Sequence, residues 1–266
     1  MSQIHQTAII DPKARIGSNV SIGPFCVVGP NVTLGDNVVL KSHVVLDGHT
    51  TIGENTMIYP FASIGQETPD LKYKGEPSKL IIGKNNKIRE YVTMNPGTEA
   101  GGMLTQVGDN CLFMPNTHVA HDCILGDRVI MANSAALGGH VQVGNNVVIG
   151  GLAAVHQFVR IGSFAVIGGM SGVESDVIPY GRVKGERAHL AGLNLIGLER
   201  GGFEKDTVKT LQKATKQLFD GDGTLDERIK NMSDEYANDS AVMQMIEFAK
   251  TRERFGLCGF PTSKAA

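Results

Sequence analysis

The segment Ile16-Gly17-Ser18-Asn19-Val20-Ser21-Ile22-Gly23-Pro24-Phe25-Cys26-Val27-Val28-Gly29-Pro30-Asn31-Val32-Thr33-Leu34 places an aliphatic residue at every sixth position: Ile16, Ile22, Val28 and Leu34. Glycine follows each of them, and a small residue (Val20, Cys26, Val32) stands four places on. The series runs back to Ile10 and Ile4 and forward through Leu40, Leu46, Ile52 and Ile58 to Ile64. It returns at Ile82, Ile88 and Met94, then from Val107 to Val173. A helical repeat of 3.6 residues would smear these side chains around a cylinder, and strand alternation would not select every sixth residue. A parallel β-helix uses the pattern: a short strand, a sharp turn, and an aliphatic side chain aimed inward. A single coil cannot bury its apolar side, whereas stacked coils bury a continuous core. The fold class is therefore mainly β.

The hexads resemble those of the hexapeptide-repeat families, which implies a left-handed β-helix with three hexads, 18 residues, per coil. Cys26, Cys111 and Cys123 fall at the small interior position and are expected to pack, without disulfide or metal chemistry. Two interruptions, near 65–81 and 95–106, break the series. Loops on a rigid scaffold commonly carry binding residues, although surface insertions give the same pattern. The expected β-helix spans 1–189. Beyond Pro179 the hexads stop and helical spacing begins, with Val208, Leu211, Ala214 and Leu218 on one stripe and Thr224 with Glu227 as a capping box. A C-terminal helical domain over 190–266 follows.

The net charge of -2 gives no basic excess for nucleic acid or anionic lipid. No signal-like start and no long apolar run occur, so the reading is a cytoplasmic chain with no transmembrane segment.

Residues one coil apart stack about 4.8 Å from each other. That spacing gathers His121, His140 and His156 on one face, with His118 just before them. Gly139 lies 18 residues after His121, and Asp122 lies 18 before His140. A neutral imidazole is the usual general base near neutral pH. Asp122, or a backbone carbonyl in its place, can orient His121, and Gly139 offers an unobstructed N–H to an oxyanion. Acyl transfer without a protein nucleophile fits this set. Several histidines on stacked coils also suit zinc, so the spacing leaves both open.

The segments T-H-V-A-H-D-C (117–123), L-G-G-H-V (137–141), A-V-H-Q-F (154–158), I-G-G-M-S-G-V (167–173) and D-L-K-Y-K-G-E-P (70–77) resemble the UDP-N-acetylglucosamine acyltransferases that open lipid A biosynthesis. The resemblance implies a homotrimer with sites between subunits, no cofactor, and no metal. It implies attack of the sugar 3-hydroxyl on the thioester of a 3-hydroxyacyl carrier protein. By position, His121 matches the general base and Gly139 the oxyanion donor. Asp70, Lys72, His118, His140, His156 and Gln157 match residues around the sugar, acyl chain or phosphates, Asn194 and Arg200 match positions near the nucleotide, and Gly169 matches the position limiting acyl length. Two departures stand out: Asn95-Pro96 where many relatives have His-Arg, and Ile196 where a carboxylate is common. The alternatives are a related acyltransferase acting on a 3-amino UDP-sugar, and a γ-type zinc carbonic anhydrase. The acyl carrier protein is acidic, so Lys205, Lys209, Lys213 and Lys216, with Lys184 and Arg187, form the expected docking face.

Overall fold

A computed structural model of the chain describes residues 2–252 and 254–261; residues 1, 253 and 262–266, the last within the expected helical domain, lie outside the described residues. Among the described residues, short strands, most of two residues, form three sheets of eleven, nine and eight strands, parallel but for the last pairing of the first, one along each side of a left-handed β-helix. Each strand pairs with the one a full coil away: Thr93–Met94 with His118–Val119, then Ala136–Leu137, then Ala154–Val155 along the nine-stranded face.

The hexad dictates this geometry. Ile22, Leu34, Leu46, Ile58, Leu137 and Ile149 fill the interior, and the small positions, Cys26, Cys111 and Cys123 among them, close the space beside them. Burial raises the thiol pKa of all three, to about 11 for Cys111 and about 12 for Cys123, which keeps them protonated packing groups. Buried Asn86 donates to the Gly83 and Gly108 carbonyls and accepts from the Cys111 N–H, so the core polar groups there are satisfied.

Corners in the left-handed region recur through the coils, and fall every six residues from Asn110 to Met170. Asparagine holds one corner at Asn19, Asn37, Asn55, Asn85, Asn110 and Asn146. It tolerates positive φ better than other side chains. Aromatic corners bear the strain differently: Phe25, His43, Phe61 and Tyr91 stack from coil to coil with ring centroids 4.9–5.1 Å apart.

The coil opens twice. The chain leaves after strand Ser63–Ile64 and re-enters with Lys79–Ile82; it leaves again after Thr93–Met94 and re-enters with Leu104–Val107. Both re-entry strands have four residues and begin before the aliphatic Ile82 and Val107, because Leu80 and Thr105 also point inward.

Where the hexads stop, an antiparallel hairpin precedes the helices: Gly181–Lys184 joins the eleven-stranded face and pairs with His189–Leu193. It crosses the expected division at residue 189. Among the described residues four helices follow: α1 Leu195–Arg200, α2 Lys205–Asp220, α3 Leu225–Glu235 with the Thr224–Glu227 capping box, and α4 Ser240–Lys250 capped by Asp239. The tail is joined to the coils through Arg160. Its guanidinium meets Asp176 at 2.7 Å and also donates to the Phe248 carbonyl and Thr251 hydroxyl. Among the described residues no helix is long and apolar enough to cross a membrane.

Candidate active site

His121 and Asp122 occupy the corner that follows strand His118–Val119. Neighbouring side chains ordinarily diverge, but Asp122 has φ 60°, and this left-handed turn brings its carboxylate back beside the preceding imidazole. His121 Nδ1 lies 2.8 Å from Asp122 Oδ2. A carboxylate only accepts, so Nδ1 carries the proton and Nε2 keeps its lone pair. Asp122, not a backbone carbonyl, is thus the orienting group. The carboxylate is buried and held by Thr98, whose N–H donates to Oδ1 at 2.8 Å and whose hydroxyl donates to Oδ2 at 2.6 Å.

One coil on, the other predicted residues arrive. His140 sits edge-on to His121, ring centroids 5.1 Å apart, with its Nε2 3.8 Å from Asp122 Oδ2. Its other neighbour is Phe158, stacked at 4.3 Å, over which the Arg254 guanidinium lies at 3.7 Å. Burial, first, pushes the His140 pKa down, against the opposing pull of Asp122, which favours the neutral ring. His118 donates to or accepts from the Thr93 hydroxyl at 2.8 Å; burial and then the nearby His121 lower its pKa as well. Gly139 is buried directly under the His121 ring, and its N–H has no hydrogen bond among the described residues. Asp70, from the first excursion, brings Oδ2 to 3.8 Å from His121 Nε2. A cleft of about 610 Å³ opens beside Gly101, Asp122, His140, Phe158 and Arg254.

The remaining predicted residues sit farther out. Lys72 is exposed in a groove with Asp70, Glu76 and Thr98. His156 and Gln157 are exposed on the next coil, the His156 ring edge-on to Phe255. Gly169 lies at another corner, its missing side chain facing the Gly151 carbonyl at 3.2 Å. Asn194 caps α1, accepting from the Gly197 N–H and donating to the Phe164 carbonyl. With Arg200 and Ile196 it lines a separate cavity of about 810 Å³ against the eleven-stranded face. A single chain therefore does not bring Asn194, Arg200 or Gly169 to His121. On the expected docking face, Lys209 and Lys213 are paired with Asp206 and Glu235, and Arg187 with Glu174.

The sequence reading overlooked Thr98, Thr105 and Phe158, and noted Asn95 only as a departure from relatives. Thr105 accepts the Asp122 N–H at 2.7 Å. Asn95 is buried, and its side-chain amide donates to the Gln66 and Glu67 carbonyls, lacing one excursion to the other. It is a structural tie between the two excursions. Phe158 had a usable signal, since it stands 18 residues after His140.

Donor atoms of His121, Asp122 and His140 lie within 4.8 Å of one another, the spacing that left a metal open. Both Asp122 oxygens, however, already accept hydrogen bonds from Thr98 and His121, and His121 Nδ1 is turned to that carboxylate. His121 Nε2 and the His140 ring, which lines the cleft, are left without a hydrogen bond among the described residues, and an unbonded imidazole nitrogen is the equipment of proton transfer.

A coil of hexads bearing such a site defines a transferase of the hexapeptide-repeat class, and residues 13–48 and 104–139 match the family model described as bacterial transferase hexapeptide (six repeats). Residues 176–258 match a second model, UDP-N-acetylglucosamine O-acyltransferase, domain 2. The chain is 53% identical over 259 residues to the acyl-(acyl-carrier-protein)–UDP-N-acetylglucosamine O-acyltransferase of Rickettsia canadensis, covering 97% of this chain and 98% of that one. The protein of the same name from Thermodesulfovibrio yellowstonii is 48% identical, with 97% and 100% covered. A crystal structure of a UDP-N-acetylglucosamine acyltransferase superposes with a TM-score of 0.95 at 44% identity, covering 98% of this chain and all of that one. The chain belongs to the family of UDP-N-acetylglucosamine O-acyltransferases.

Proposed function

We propose that this protein transfers a 3-hydroxyacyl group from acyl carrier protein to the 3-hydroxyl of UDP-N-acetylglucosamine, the first step of lipid A biosynthesis, with His121 as general base. One observation carries the reading: in a chain of this family, the His121 imidazole is tied through Nδ1 to Asp122 and leaves Nε2 without a hydrogen bond, 3.8 Å from Asp70 Oδ2. Nε2 takes the proton of the sugar hydroxyl as that oxygen attacks the thioester carbonyl. The Gly139 N–H stabilises the oxyanion, and Asp122 the imidazolium. As the C–S bond breaks, the imidazolium returns the proton to the departing thiol of the carrier. Asp70, Lys72, His118, His140, His156 and Gln157 surround the sugar, acyl chain and phosphates; Gly169 leaves room for the acyl tail.

Asn194 and Arg200 act near the nucleotide in this reading, yet they line a cavity on a different side of the chain from His121. A homotrimer, with each site between two subunits, reconciles the two. Lys205 and Lys216, both exposed on α2, are the cations through which the acidic carrier docks; the reaction places the protein in the cytoplasm, where the carrier is.

The test is incubation with UDP-N-acetylglucosamine, its 3-amino analogue, and 3-hydroxyacyl carriers of graded length. The expected product is the 3-O-acyl UDP-sugar. Transfer to the amino analogue alone reassigns the acceptor.

A further inference from the structure

The second excursion carries a clamp on the catalytic pair. Asp122 sits in a left-handed corner, φ 60°, where His121 is the partner that its own coil gives the carboxylate. Thr98 holds the carboxylate from outside the coil. It is 3% exposed and grips both carboxylate oxygens, backbone N–H to Oδ1 and hydroxyl to Oδ2. The turn around Thr98 is closed by its carbonyl, which accepts from the N–H groups of Gly101 and Met103. Gly101 is shaped to the same purpose: a Cβ there would fall 2.0 Å from Asp122 Cγ, although its backbone φ is outside the left-handed region. The glycine is required by the space the carboxylate fills, not by its dihedral angles. From the opposite side, Thr105 receives the Asp122 N–H.

We propose that Thr98 is a positioning residue for acyl transfer: its two hydrogen bonds set the plane of the Asp122 carboxylate, which in turn aims His121 Nε2 at the substrate hydroxyl. The excursion between Met94 and Leu104 is then part of the catalytic machinery. A β-branched side chain suits the task, because its restricted χ1 holds the hydroxyl on its acceptor. This inference rests on His121 acting as the general base.

Thr98→Val keeps the shape and removes the hydroxyl donor; Thr98→Ser keeps the donor. The measurement is steady-state kinetics of the full-length enzyme with both substrates, for these variants and for His121→Ala, Asp122→Asn and the Thr98→Val/Asp122→Asn pair. Thr98→Val is expected to lower kcat roughly 10- to 100-fold, the range typical of residues that orient a functional histidine from behind, with KM for either substrate unchanged. Thr98→Ser recovers most of the loss. In the Asp122→Asn background Thr98→Val has little further effect, because the two act as one unit. A wild-type kcat in Thr98→Val, a loss seen only in KM, or losses that multiply fully in the double variant overturn the inference. If His121→Ala itself retains full activity, the reading of the base fails first, and that outcome is separate from the others.

Discussion

A methyl group on residue 139 would lie 2.5 Å from Cε1 and 2.6 Å from Nε2 of His121. No rotamer of an added Cβ exists to relieve this, so the imidazole must swing away from its carboxylate. Gly139→Ala is expected to lower kcat by at least about 100-fold while the circular dichroism spectrum stays that of the native coil. Protonation behaves as local burial dictates. His118 and His140 have pKa values lowered below 6.5 in the fold, so near and below that pH the unfolded chain binds more protons than the native one. Stability therefore rises with pH through this window and falls as the pH drops below about 6.5. Urea melts are expected to show a midpoint that declines from pH 7 to pH 5, and His118→Gln to flatten that decline. At this scale the sequence identified the convergence of His121 and His140, because no insertion separates them and the coil spacing holds between them, whereas His156, expected with them, sits exposed farther out. It left open what orients His121. That answer depends on the positive φ of Asp122, which spacing does not encode.

The two excursions are elements with a shared interior. Asn95 donates to the carbonyls at the base of the first, and Glu76 of the first accepts from the Lys74 and Glu99 N–H groups, drawing in the second. Backbone hydrogen bonds to Glu76 are also the main cause holding its carboxyl below the usual range. Asn95→Ala removes two buried hydrogen bonds of about 1 kcal/mol each. It is expected to loosen the segment carrying Asp70 and Lys72 and to raise KM for the UDP-sugar about fivefold, a shift of roughly 1 kcal/mol, with kcat nearly unchanged. The excursions were visible as breaks in the hexad count, and the helices as capping signals and apolar stripes. Their contents were not visible: nothing in the order of residues shows that Thr98 meets Asp122, 24 positions further along the chain. The hairpin after Pro179 was missed because its two short strands have no repeat behind them.

Over the whole molecule, the coils set the spacing of the site and the tail closes one end of it. Arg160 joins the two, and its partner Asp176 is 2% exposed. Arg160→Ala leaves that carboxylate buried without its cation, which costs about 3–5 kcal/mol; a matching loss in urea unfolding is the expected result. The coil was legible end to end because each hexad repeats one physical demand, an inward aliphatic beside a tight corner. The relation of Asn194 and Arg200 to His121 was not: within the one chain they line a cavity on another side. The most direct test of the account is a single-turnover comparison of wild type and His121→Ala, both saturated with UDP-N-acetylglucosamine and 3-hydroxyacyl carrier protein. We predict native-like folding and binding with transfer slowed about 10²- to 10⁴-fold. Transfer at the wild-type rate by the folded variant would contradict it.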